Sequence, residues 1–444
     1  MSRLLLAAAV AVLLSSTALA LPLYRDSLDN GLVVLTYEDP RLPTVDVRLV
    51  CRSGSSRDPE GRSGAANLAN RLLLHGSESV TDDSVAAVIE FLGARHNSAT
   101  NHDFSYVEFK TLSEHLDLVL DLMADGVLHP SYDSSIFNRE RERVLAAVRR
   151  QYDSPGRLSM MEFDRLLFED GPYARVALGE TLDLKDLTPS MLHDFHSANY
   201  VPNNCYVVAV GDVRREDIVN RLSERFGKWQ ARGIPDRLDE VPRFPQGLQT
   251  KLIHREDLNQ SYVTMGHPGI SIHHPDMLST RLMAFVLGGS AVGSRLGESV
   301  REKGGLAYDV RCWYDRRSLT GAFRSTVQTA DPALAISKML DGFRTIQDST
   351  PTAGEIATAQ SYYTGSFPIS YSSSGGKLRH VTIAEAYRLG TDWLKLFPEK
   401  VSELTTDDLA RSAREHLQPD NLYVVIVGNV TVDDIDLPGL AWLD

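Results

Sequence analysis

The stretch PNNCYVVAVGDV, from Pro202 to Val213, recurs as PDNLYVVIVGNV from Pro419 to Val430, 217 positions later. The same offset carries Leu187-Thr188 to Leu404-Thr405, Leu192 to Leu409, and Asp217-Ile218 to Asp434-Ile435. A constant offset held this long marks a duplication. The chain is therefore two similar units of about two hundred residues, each able to bury its own core and too long to be a solenoid repeat. The join lies at 231–250, where Gly233, Pro235, Pro242, Pro245 and Gly247 stand among charges with no helical period. This gives a first unit at 21–230, a linker at 231–250 and a second unit at 251–444.

Within the first unit, Leu32 to Tyr37 and Thr44 to Arg52 have the β-branched alternation of strands, and Asp103 to Lys110 and Cys205 to Val210 follow them. Ser63 to His75, Asp83 to Leu92, Leu116 to Val127, Ser134 to Tyr152 and Pro189 to Ser197 carry helical periodicity. Ser134 is the expected N-cap of its helix, with Glu140 and Glu142 on the solvated face. Strands and helices interleave unevenly, which predicts an α+β fold. The second unit repeats the plan less cleanly.

The first twenty residues differ from the rest. Arg3 precedes an apolar run from Leu4 to Leu14, and Ala18-Leu19-Ala20 presents small residues where a signal peptidase reads. This predicts a secretory signal cleaved after Ala20, with export most naturally to a periplasm. No later stretch is long and apolar enough to span a bilayer. The net charge of -13 gives no electrostatic reason to hold nucleic acid. Cys51, Cys205 and Cys312 sit in strand-like runs and are expected as small buried apolar side chains.

Several segments resemble the pitrilysin or insulinase-like zinc peptidases of the short, two-unit bacterial type. They are Leu28 to Leu32, Arg52 to Asp58, Gly288 to Leu296, and above all Arg301-Glu302-Lys303-Gly304-Gly305-Leu306-Ala307-Tyr308. The resemblance implies two homologous domains closed like a clamshell. In active members a helix carries H-x-x-E-H, whose histidines at i and i+4 hold one zinc while the Glu activates water. Matching Gly64-Ala65-Ala66 and Leu72 to Ser77 to that motif places Asn67, Asn70 and Arg71 at the His, Glu and His positions. The later Glu pair falls on Ala146 and Ala147. Alanine has no ligand atom, and a guanidinium stays protonated where the cation would sit. No metal or other cofactor is expected on this chain, and without metal and Glu there is neither activated water nor general base.

What survives, by the same resemblance, is a functional Arg301 and Tyr308 contributed by the second unit. Arg can fork onto a carbonyl or carboxylate, and a Tyr hydroxyl can stabilise an oxyanion. The strand after Asn97-Ser98-Ala99-Thr100 is expected to form a sheet edge that pairs with extended peptides. The pattern implies the non-catalytic member of a heterodimeric zinc endopeptidase, whose H-x-x-E-H partner carries the zinc. The alternatives are a non-enzymatic peptide-binding or scaffold protein, like the core proteins of the bc1 complex, and an active peptidase with an unusual metal site. For the last, His75 has no expected partner, and neither His193 with His196 nor His273-His274 finds a second ligand set in the sequence.

Overall fold

The computed structural model describes residues 23–169, 171–235 and 242–443, so the expected signal segment lies outside the described residues. The first half forms β1 (Leu23–Ser27), β2 (Val33–Glu38), β3 (Thr44–Cys51), β4 (Arg95–Thr100), β5 (Ser105–Leu112) and β6 (Cys205–Gly211). The second forms β7 (Leu248–His254), β8 (Ser261–Pro268), β9 (Ala307–Tyr314), β10 (Ala322–Thr329), β11 (Leu422–Gly428) and β12 (Leu440–Trp442). Sheet order is β1-β2-β6-β3-β5-β4 in one half and β12-β7-β11-β8-β10-β9 in the other. Shifted by 217 positions, β3, β5 and β6 land on β8, β10 and β11 residue for residue. The pairing of Cys51 with Ser105 recurs as Pro268 with Ala322. The duplication in the sequence is thus a duplication of sheet topology, in two α+β domains.

Most expected elements form within a residue or two of their sequence bounds. The linker is shorter than expected, because Leu248 to Thr250 already pair in β7. Ser134 is not the cap of its helix: the Asp133 carboxylate accepts the N–H groups of Ser135 and Ile136, and the helix runs Ser134–Asp153. The open sheet edge is β4 itself, Arg95–Thr100, rather than the strand after it; β5 lies inside the sheet between β3 and β4. All three cysteines are buried and free.

The helix Pro155–Phe168 has no counterpart in the sequence reading, and it explains how the halves stay together. It leaves its own domain and packs on β8 and β11 of the other half. Phe163 and Leu167 are sealed there against Ala322, Val425 and Val427. Shifted by 217, it falls on the helix Ser374–Ala386, which crosses the opposite way onto β3 and β6. Each half therefore lends one helix to cover the second face of the other's sheet. That is why β6 and β11 are buried along their whole length and read as unbroken apolar runs.

Polar bonds follow the same exchange. Tyr206 donates its hydroxyl to the Thr382 carbonyl at 2.7 Å, and Ser159 meets Thr264 at 2.8 Å. Arg52 and Arg25 converge on Glu385 at 2.6 and 3.1 Å, and Arg324 pairs with Asp164. The clamshell is clasped by two exchanged helices, and each large apolar side chain buried in the clasp contributes roughly 1.5–3 kcal/mol.

Candidate functional site

The helix that would carry a metal spans Ala65–Leu72. Its entry is set by Gly64 at φ +99°, where a Cβ would also meet Leu184 at 2.6 Å. Its free N–H groups are satisfied by Asp58, whose two oxygens accept from Gly64 and Ala66 at 2.7 Å each. Burial pushes the Asp58 carboxyl up to about 7, against the pull of those two bonds and of Arg175. The sequence did not reveal this cap, because Asp58 stands six residues ahead of Gly64, outside the local capping patterns.

Along this helix the three side chains matched in sequence to H-x-x-E-H make structural bonds. Asn70 is 1% exposed, and its amide donates to the carbonyls of Ala99 at 3.2 Å and Tyr106 at 3.0 Å. Its oxygen accepts the buried Tyr200 hydroxyl at 3.0 Å. The side chain thus pins the helix to the β4–β5 hairpin, and its one lone-pair atom is already engaged. Asn67 donates to the Leu178 carbonyl at 3.4 Å. Arg71 donates through Nε to Glu140 at 2.6 Å. Ala146 and Ala147 lie half-buried on the Glu140-bearing helix and offer no ligand atom.

Glu140 corrects the expectation of a solvated face, for its carboxylate is fully buried. Burial alone would raise its carboxyl. Arg71, with help from His75 and Arg143, outweighs burial and holds it below the ordinary Glu range. His75 is likewise not alone: its Nδ1 meets Asp82 at 2.8 Å, and its Nε2 lies 3.9 Å from Glu140. The sequence concealed this, because the alternating ERER run gives no sign of which acid turns inward.

Elsewhere, His196 is a satisfied core histidine, stacked on Tyr200 with Nε2 at 2.9 Å from the Val127 carbonyl oxygen. Among the described residues, one group stands at metal-ligand spacing: His274, Asp276 and His416, whose ligand atoms lie within 4.8 Å of one another. The third member comes from another helix, beyond the reach of sequence spacing. Asp276 there already bonds Arg411 at 2.7 Å and His416 at 2.8 Å, so its carboxylate is an ion-pair hub.

Arg301 and Tyr308 are brought together. Gly297–Glu302 forms a wide helical turn in which the Lys303 N–H reaches the Glu298 carbonyl at 2.8 Å, an i to i+5 bond. Gly305 at φ +60° then reverses the chain into β9, the sheet edge, where Tyr308 is 86% exposed. The Arg301 guanidinium lies 5.5 Å from the Tyr308 ring centroid and donates to the Ala291 carbonyl at 3.3 Å. A cation over a ring at this range adds about 0.5–1 kcal/mol at an exposed site and fixes the mutual orientation of the two groups. The Tyr308 hydroxyl faces solvent. The pair stands on the second half, while Asn67, Asn70 and Arg71 stand on the first.

Among the described residues no helix is long and apolar enough to cross a membrane. Residues 33–175 match the family described as Insulinase (Peptidase family M16), and residues 186–363 match the one described as Peptidase M16 inactive domain. An uncharacterized zinc protease of Mycobacterium tuberculosis is 30% identical over 312 residues, covering 69% of this chain and 70% of that protein. One from Rickettsia bellii is 26% identical, covering 70% and 74%. The crystal structure of a peptidase M16 inactive domain from Pseudomonas fluorescens superposes with a TM-score of 0.85 at 26% identity. It covers 92% of this chain and 98% of that one.

Proposed function

This chain belongs to the insulinase family, peptidase family M16, and from that premise we propose that it is the non-catalytic subunit of a secreted, most naturally periplasmic, heterodimeric zinc endopeptidase. Its kind is a pseudo-peptidase of that family. The observation that carries the proposal is a contrast within one molecule. Every position matched to a zinc ligand is engaged in structural bonds or lacks a donor atom, while Arg301 and Tyr308 are paired and presented on an exposed edge.

In the proposed complex a homologue bearing H-x-x-E-H holds the zinc and its activated water. This chain's Arg301 grips the extended peptide substrate through a carbonyl or its terminal carboxylate. The Tyr308 hydroxyl donates to the oxyanion as the tetrahedral intermediate forms. The open backbone edge of β4 offers a second place for an extended peptide to pair.

The test is turnover by the reconstituted pair. Arg301→Ala and Tyr308→Phe should each lower kcat about 100-fold or more, as loss of an oxyanion donor does, with zinc content and assembly unchanged. Unchanged turnover removes the pair from the mechanism and favours the non-enzymatic reading, a peptide-binding or scaffold protein whose exposed β4 edge alone does the work.

A further inference from the structure

The second half forms an open-mouthed cavity of about 300 Å³ between the helices Met277–Gly288, Ala353–Tyr371, Ser374–Ala386 and Trp393–Glu403. Three guanidiniums line it: Arg281, Arg316 and Arg379. No Asp or Glu does, in a chain where acids outnumber Lys and Arg 59 to 46. Among the described residues none of the three has an ion-pair partner. The remaining wall is largely aromatic. Arg281 lies 4.8 Å from the Tyr363 ring centroid and 5.7 Å from that of Phe397.

The repeat shows how unusual this is. In the first half the positions equivalent to Arg379 and Phe397 are held by acids, Glu162 and Glu180. Its Arg165 is neutralised there by Glu162 and by Glu180, the latter at 2.8 Å. Moved by 217 positions, Arg165 becomes Thr382, while Arg281 and Arg316 fall on Gly64 and Ala99. The second half thus has an arginine and an aromatic ring in place of two acids, and the positive charge around the cavity is left uncompensated.

Uncompensated charge is costly. The like charge of Arg281, and after it that of Arg379, pushes the Arg316 guanidinium down. Arg316 and Arg379 are open to solvent at the cavity mouth, so screening softens the repulsion without removing it. His380, on the same wall, is pushed down to about 4 by burial and then by Arg379 and Arg316. It stays neutral and bonds Ser370 at 2.8 Å. The cavity therefore presents guanidinium donors, hydroxyls and ring faces, with no competing carboxylate. Forked guanidiniums match a planar carboxylate, and the rings match an apolar body.

We propose that this cavity binds a small organic anion, a free carboxylate carried on an aromatic or branched apolar body such as the C-terminal residue of a peptide. The site is separate from Arg301 and Tyr308 and does not depend on a zinc-bearing partner. The experiment is isothermal titration of the full chain with N-acetyl-phenylalanine, with its amide, and with inorganic phosphate. The free acid should bind at least about tenfold tighter than either of the others. Arg316→Gln and Arg379→Gln should each weaken the acid about 10- to 100-fold, the scale of one charge-assisted hydrogen bond. Both variants should also melt at a higher temperature than wild type without ligand, since each relieves like-charge repulsion. That second readout shows they fold. Equal binding of acid and amide would overturn the proposal, as would phosphate binding as tightly as the acid, no binding of the acid at about 10 mM, or full affinity in both variants.

Discussion

Replacing Asn70 by Ala removes the bond network that pins the helix Ala65–Leu72 to the β4–β5 hairpin. The Tyr200 hydroxyl, buried with Asn70 as its partner at 3.0 Å, would be left unsatisfied, which costs about 1–3 kcal/mol. Two amide bonds to Ala99 and Tyr106 are lost as well, at about 1 kcal/mol each. The strand carbonyls retain other lone pairs, so the sum is about 4 kcal/mol. Urea unfolding should show the midpoint fall with an unchanged slope. Tyr200→Phe in the Asn70→Ala background should recover roughly 1 kcal/mol or more, because it removes the orphaned hydroxyl. Asn70→Glu should also destabilise, since a carboxylate would face two carbonyl oxygens in a site that is 1% exposed. A loss below about 1 kcal/mol for Asn70→Ala, or a Glu variant as stable as wild type, would refute the view that this side chain is a structural peg.

Glu385 is the hub of the clasp, held by Arg52 at 2.6 Å and Arg25 at 3.1 Å. Glu385→Ala should cost about 2–3 kcal/mol, less than a fully buried pair because Arg25 is half exposed, and should raise the small-angle-scattering radius of gyration; an unchanged radius and midpoint would contradict the clasp. His267 is fully buried as a neutral ring, its Nδ1 donating to the Pro268 carbonyl at 2.6 Å and its Nε2 accepting from Gln418 at 3.1 Å. Burial pushes it down to about 4 from 6.5, so its stabilisation is present above about pH 6.5 and is lost as pH falls toward 4. His267→Gln should flatten the fall in unfolding free energy across that window by about 3 kcal/mol, and an unaltered pH profile would refute the assignment.

The repeat in the sequence carried a great deal, because strands buried on both faces tolerate little change. PNNCYVVAVGDV and its echo became β6 and β11 at the same register-bearing positions. The exchange of helices was not legible. An apolar helical face says that something is covered, not which half supplies the sheet, so the crossing of Pro155–Phe168 onto the other half is visible only in the fold. The edge strand Arg95–Thr100 was hidden differently: RHNSAT pairs on one side only and has no apolar alternation. At the candidate site, the absence of the H-x-x-E-H residues could be read from the sequence. What replaced them could not be. Arg71 reads in sequence as a hostile charge, and only the fold shows it bonded to Glu140, nearly seventy residues away.

In the proposed complex this chain carries no catalytic metal and lends Arg301 and Tyr308 to a chain that does. Native mass spectrometry of the protein isolated from its own source tests it most directly, since partner mass and bound metal are read together. The account predicts a complex of this chain with a second, different chain and one zinc, the metal remaining with the partner when the two are separated. Zinc retained by this chain alone, or a metal-free homodimer with no other subunit, would contradict it.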